Sequence, residues 1–264
     1  MSDLAGGKLR LDEPAESVAR LTIANPGKRN ALDQEILDAI AATLPRLDAR
    51  CVLLTGSEGM FSAGYDIGDM PRDTFAEEAE KLVAHPFADA IEALETHPFP
   101  VVAALNGHAI GGGLEVAISC DLRIAAAGIR VGMPPAKLGL VYSHTGIQKF
   151  LDVVGAARTR ELFLVGRNVA VEDALTWGLV NAVVPEEELE ERSLALAAEI
   201  AANAPLSLRG NKRVIRELLS ARGALDPAVE EELVELRRAC FRSEDFQEGV
   251  RAFTEKRAPR WQGR

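Results

Sequence analysis

The chain has 264 residues, 47% of them hydrophobic and 27% charged, which allows a large core in one domain or in a main domain with an appendage. Forty acidic against 30 basic residues leave a net charge of −10. That balance argues against nucleic acid as the partner, since phosphate binding needs a basic face, but it permits a small anionic ligand held by a few local cations. Three separated cysteines (Cys51, Cys120, Cys240), no basic-then-apolar start and no long apolar run predict a cytoplasmic chain. No disulfide, structural metal or membrane span is expected.

In chain order, VARLTI (18–23) alternates as a half-buried strand does. ALDQEILDAIAATLPRL then sets Ile36, Leu37, Ile40, Leu44 and Leu47 at helical spacing, with Asp33 as N-cap. CVLLTG (51–56) reads as a buried strand followed by the loop GMFSAGYDIGDMP. A helix is predicted over Pro86 to Glu95, then VVAALNG as a second buried strand, GGGLEVAISC as a helix and DLRIAAAG as a third strand. Beyond Gly155 the pattern is almost wholly helical to Trp261, broken by Pro185, Pro205 and Gly223. The acidic run Glu186 to Glu191 fits a solvated first helical turn, where the helix dipole favours carboxylates. An α/β core over residues 1–200 and a helical region over 201–264 are therefore expected.

Two strand-to-loop junctions can carry chemistry. After CVLLTG, Ala63-Gly64-Tyr65-Asp66 can bring backbone close to a ligand; after VVAALNG, three glycines open a helix. Two N–H donors converging from such loops would form an oxyanion hole. Glu115 lies three residues past Gly112, near enough to the helix start to reach a reacting carbon. The glycines do not make GxGxxG, and neither HExxH nor GxSxG occurs, so a dinucleotide site, a zinc site and a nucleophilic serine are not supported. From Leu122 to Leu151 there is no acidic residue, although the stretch includes Pro134-Pro135 and Tyr142-Ser143-His144.

Taken jointly, IANPGKRNALDQEILDAI, LLTGSEGMFSAGYDI, VVAALNGHAIGGGLEVAISCDLRIAA and LTWGLVNAVVPEEELEERSLALAAEIAANAP resemble the enoyl-CoA hydratase/isomerase (crotonase) family over nearly the whole chain. The resemblance implies an α/β fold with a ββα spiral core and a helical C-terminal region that assembles a homotrimer or a dimer of trimers. It implies an acyl-CoA thioester substrate, with coenzyme A part of that substrate and no separate cofactor. The oxyanion hole falls on the backbone N–H groups of Tyr65 and Gly112, and Glu115 occupies the first of two glutamate positions used by the hydratases. CoA contacts fall on Arg29, Asn30, Ala31, Ala63, Asp66 and Ile67, and on Lys256 of the FTEKR tail, a position that sometimes serves a neighbouring subunit.

The second glutamate position falls on Pro135, which can neither give nor take a proton. MPPAKLGLVYSHTGIQKFL and SEDFQEGVRAFTEKRAP are similar instead to the methylmalonyl-CoA decarboxylase branch of the family, which also carries proline there but has histidine where this chain has Tyr65. Decarboxylation needs the hole and a proton source but no general base, and a carboxylate-free wall avoids repelling an anionic substrate. Tyr142 would bond the substrate carboxylate, and Tyr142 or His144 would help deliver the proton. Decarboxylation of a malonyl-type CoA is the leading expectation. Enoyl-CoA hydration or isomerisation, or non-catalytic CoA-ester binding, are the alternatives.

Overall fold

The computed structural model describes residues 1–66 and 80–264. Buried apolar runs supply the parallel strands of the larger sheet, as expected where both faces of a strand are covered. Its seven strands lie in the order β1-β2-β3-β4-β6-β8-β11. β1 (Ser2–Leu4), β2 (Leu9–Ala15) and β3 (Val18–Ile23) pair antiparallel. β4 (Cys51–Gly56), β6 (Val101–Leu105), β8 (Leu122–Ala126) and β11 (Ala182–Val184) continue the sheet in parallel. All five residues of β6 are buried.

A second sheet of four short strands has the order β10-β9-β7-β5. β5 (Met60–Ser62), β7 (His108–Ile110) and β9 (Arg130–Gly132) run parallel, and β10 (Val169–Ala170) closes the edge antiparallel. Each long strand β4, β6 and β8 thus hands the chain to a short strand of the second sheet before it returns. That repeated step is a ββα spiral.

Asp33 caps α1 (Gln34–Thr43), accepting from the Ile36 N–H at 3.0 Å, and Ile36, Leu37 and Ile40 enter the core. The helix expected from Pro86 begins differently. Pro86 sits inside a π turn, Val83–Phe87, which leads into α2 (Ala88–Thr96); the wider turn accommodates a residue with no N–H to donate. α3 (Gly112–Ile118) is buried throughout. Ser143 caps α4 (His144–Arg160), accepting from the Gly146 N–H at 3.1 Å. Then come α5 (Val171–Thr176) and α6 (Leu189–Ala201), preceded by a single turn whose residues Glu186, Glu187 and Glu188 are exposed. The last helices are α7 (Pro205–Arg222), α8 (Pro227–Phe241) and α9 (Glu244–Thr254).

Two strands interrupt the stretch that reads as continuous helix. β10 and β11 have two and three residues, too few to show a period, and what makes them strands is the β9 and β8 edges they complete. α7 is pinned to the core by Lys212, whose Nζ donates to the Leu94 and Phe99 carbonyls (3.3 and 3.0 Å) and pairs with Asp121 at 2.7 Å. No helix among the described residues is long and apolar enough to cross a membrane.

Candidate active site

The spiral brings the two glycine-bearing junctions together. Leu32 and Tyr65 form a parallel bridge: the Leu32 N–H donates to the Gly64 carbonyl at 2.8 Å and the Asp66 N–H to the Leu32 carbonyl at 3.0 Å. The flanking residues make those bonds, so the Tyr65 N–H and C=O face the other way. Gly112 opens α3, where an N–H has no partner within the helix. Neither the Tyr65 nor the Gly112 N–H finds an acceptor among the described residues. Gly64 holds the two loops together. Its φ is +92°, and a Cβ there would stand 2.7 Å from the Ile110 carbonyl oxygen and 3.0 Å from the Gly112 nitrogen. Only glycine fits that approach.

Glu115, one turn into α3 and 3% exposed, lies beside this pair. The Tyr142 hydroxyl donates to its Oε2, and the Tyr142 and Tyr65 hydroxyl oxygens are 3.2 Å apart. The three groups form one hydrogen-bonded chain contributed by three separate segments. Phe87 packs edge-on to Tyr65 (centroids 4.7 Å), and Phe163 packs likewise on Tyr142 (5.6 Å), which fixes both rings. Gly146 leaves the chain its room, since a Cβ there would meet Tyr142 Cε1 at 2.7 Å and Glu115 Oε1 at 2.9 Å.

Burial lifts the Glu115 carboxyl to about 7, against the pull of the Tyr142 bond and of Lys149, which is itself paired with Glu95. Burial and then the neighbouring Glu115 hold the Tyr65 and Tyr142 hydroxyls well above the usual phenol range. Both tyrosines are therefore hydrogen-bond donors at neutral pH, and Glu115 is the group that exchanges a proton there.

The wall expected to be free of carboxylates leaves β9 beside α3: the Gly111 N–H donates to the Gly132 carbonyl at 2.8 Å. Pro135 is buried and starts a tight turn, its carbonyl accepting from Leu138 and Leu140. Tyr142 is engaged by Glu115 and Tyr65, and His144 is turned to α8, its Nε2 3.4 Å from Glu230 Oε1.

Of the positions expected to meet CoA, Arg29, Asn30, Ala31, Ala63 and Asp66 cluster on one rim. Arg29 and Asn30 both take φ +54°, the Arg29 carbonyl accepts from the Ala63 N–H at 3.1 Å, and Asp66 pairs with Lys28 at 2.6 Å. The Asn30 side chain is fully committed to the loop: it accepts from the Asn25 N–H and donates to the Ser57 and Met60 carbonyls. Ile67 lies outside the described residues. Lys256 is exposed on the turn ending α9, and no hydrogen bond among the described residues ties it to the rim. Sequence reasoning missed Phe87 and Phe163, the rings packed on Tyr65 and Tyr142. Neither belongs to a motif, and only the fold brings them to Tyr65 and Tyr142.

A ββα spiral that sets a pair of free backbone N–H groups beside one buried carboxylate is the frame of a crotonase-type acyl-CoA enzyme. The enoyl-CoA hydratase/isomerase family model matches residues 13–264, and the chain belongs to that family. It is 34% identical over 255 residues to a probable enoyl-CoA hydratase of Bacillus subtilis, covering 93% of this chain and 95% of that protein. Its fold superposes with a TM-score of 0.88 on a methylmalonyl-CoA decarboxylase in complex with 2-nitronate-propionyl-CoA, at 30% identity over 97% of this chain and 99% of the other. An enoyl-CoA hydratase/isomerase from Pseudoalteromonas atlantica, also 30% identical over 97% and 100%, gives 0.82.

Proposed function

We propose that this enzyme decarboxylates a malonyl-type acyl-CoA. The observation that carries the reading lies at the two positions where the family's hydratases place glutamates: the first holds Glu115, bonded to Tyr142, and the second holds Pro135, which is buried and handles no proton. Adding water across a double bond calls for two proton-handling groups; losing CO2 calls for one proton, afterwards. The backbone agreement with a decarboxylase at 0.88, against 0.82 for a hydratase/isomerase of equal identity, supports the same choice.

In this reading the thioester carbonyl accepts from the Tyr65 and Gly112 N–H groups. The bond between the α-carbon and the carboxylate breaks, its electron pair enters the carbonyl as an enolate, and CO2 leaves neutral. The hole bears the charge that appears on oxygen. One proton then adds to the α-carbon, drawn from Glu115 and replaced from solvent, giving the acyl-CoA shorter by one carbon. Tyr142 and Tyr65 hold Glu115 in place and pass hydrogen bonds along the chain. CoA enters as part of the substrate, with no separate cofactor, along Arg29, Asn30, Ala31, Ala63, Asp66 and Ile67, with Lys256 toward its phosphates. Residues 201–264 serve assembly into a trimer or a dimer of trimers.

Hydration or isomerisation is the second reading, favoured by Glu115 itself and by the 34% identity to a probable hydratase. Purified protein offered methylmalonyl-CoA and crotonyl-CoA in parallel separates the two. CO2 release from the first with little loss of enoyl-thioester absorbance from the second is expected. Robust hydration of crotonyl-CoA would overturn the proposal, and binding of both without turnover would make the protein a CoA-ester binder.

A further inference from the structure

A half-buried ion network on α8 is left incomplete. Arg237, its side chain 12% exposed, donates from Nη2 to Glu80 Oε1 at 3.1 Å, and Arg238 Nε reaches the same oxygen at 3.3 Å. The other Glu80 oxygen and Arg237 Nε are both buried, and neither finds a partner among the described residues. A buried guanidinium N–H left unmatched costs free energy, so an observed one asks what completes it.

Its place on the fold suggests the answer. On α8, Glu230 meets His144, the residue that starts α4 two positions after Tyr142, and Cys240 Sγ lies 3.0 Å from the Gly139 carbonyl oxygen. Arg237 falls between these contacts, two turns from Glu230 on nearly the same helix face, so α8 lays it along the segment that carries Tyr142. The guanidinium also acts on the Tyr65 hydroxyl, opposing the upward pull of burial and Glu115.

We propose that Arg237 is a specificity-determining residue that orients the carboxylate of the acyl group through its unpaired Nε–H, with Glu80 as the residue that positions it. This rests on the decarboxylase reading and names the group that recognises the substrate's negative end. Glu80 also resolves an apparent conflict. A free cation beside the leaving carboxylate would stabilise the charge that must be lost and slow the reaction. Glu80, shared between Arg237 and the half-exposed Arg238, cancels one of the two positive charges, so Arg237 offers one directed hydrogen bond with a weaker field than a lone guanidinium. Direction is what cleavage needs: the breaking bond must stand perpendicular to the thioester plane for its electrons to enter the carbonyl.

Two thioether analogues of equal linkage, carboxypropyl-CoA and propyl-CoA, isolate the carboxylate because neither can react. Calorimetric titration of the full-length enzyme should show the carboxylated analogue bound about ten-fold more tightly or better, the lower range for a charge-assisted hydrogen bond. In Arg237→Gln the two should fall within about two-fold of each other, with propyl-CoA affinity unchanged; Arg237→Lys, which keeps the charge but not the planar fork, should recover part of the preference. Equal affinities in the unaltered enzyme, or a full preference surviving in Arg237→Gln, would overturn the assignment. A variant with normal circular dichroism and normal propyl-CoA binding is folded, so neither result is an unfolding artefact. CO2 release from methylmalonyl-CoA by the unaltered enzyme is read separately. Its absence removes the decarboxylase reading, while the analogue titration still decides whether Arg237 reads a carboxylate.

Discussion

At the scale of single residues, Glu115 is the group whose charge state decides what the site accepts. Burial raises its carboxyl from the ordinary 4.5 to about 7, so it is neutral below that pH and anionic above it. The sign for catalysis follows. A substrate that brings its own carboxylate meets a neutral Glu115 below pH 7 and a like charge, or a lost proton donor, above it. For a carboxylated acyl-CoA, kcat/KM should be level near pH 6 and fall about ten-fold per pH unit once pH exceeds roughly 7, as one ionisation requires. Glu115→Gln, uncharged but with no proton to give, should be slow already at pH 6 and show no further fall above 7. Rates measured from pH 5.5 to 9 in both proteins check this; a level profile in the unaltered enzyme would sink the role given to Glu115. Tyr142 and Tyr65 add no step of their own to that range, since their hydroxyls stay protonated well beyond it.

At the scale of elements, the site depends on how α3 is seated, and its far end shows what seats it. Arg123 on β8 is buried with no carboxylate partner among the described residues: Nη1 donates to the Ala117, Ile118 and Cys120 carbonyls, and Nε to the Leu179 carbonyl at 2.7 Å. One guanidinium therefore closes the C-terminal end of the helix whose first residue carries one of the two N–H groups proposed as the oxyanion hole. Arg123→Met keeps much of the volume but strands those carbonyls, and should cost about 3 kcal/mol in urea denaturation; a loss below about 1 kcal/mol would show that water replaces it without penalty. Elements with a full period of their own were legible in the sequence: VARLTI, CVLLTG and VVAAL are strands, and Asp33 caps its helix. So were the glycine junctions and the position of Glu115. The short strands β5, β9, β10 and β11 were not, because two or three residues carry no period and their identity comes from the neighbouring edge. Nor was the Tyr65–Tyr142–Glu115 chain, since a hydroxyl's partner 77 positions away leaves no local signal.

At the scale of the whole molecule, the C-terminal helices present apolar surface to solvent. On α7, Leu206, Val214, Ile215 and Leu218 are 83%, 57%, 58% and 62% exposed, and the last three lie at spacings that place them on adjoining rows of one helix face. A contiguous apolar face on a chain carrying a net charge of −10 fits a contact between copies better than a free surface. The protein should therefore sediment as a trimer or a multiple of it, and Leu218→Glu should release monomers. Their circular dichroism should be unchanged, because Lys212 anchors the helix to Leu94, Phe99 and Asp121 without using Leu218. Assembly and catalysis then become separable. If Lys256 serves the CoA of a neighbouring subunit, the Leu218→Glu monomer should show a raised KM with kcat largely kept, because the hole and Glu115 belong to one chain and only the phosphate contact is lost. Lys256→Ala in the assembled enzyme should raise KM alike, and the two changes combined should raise it no further. Additive effects would place Lys256 on its own subunit's CoA, and a monomeric unaltered enzyme at every concentration would remove the intersubunit role altogether.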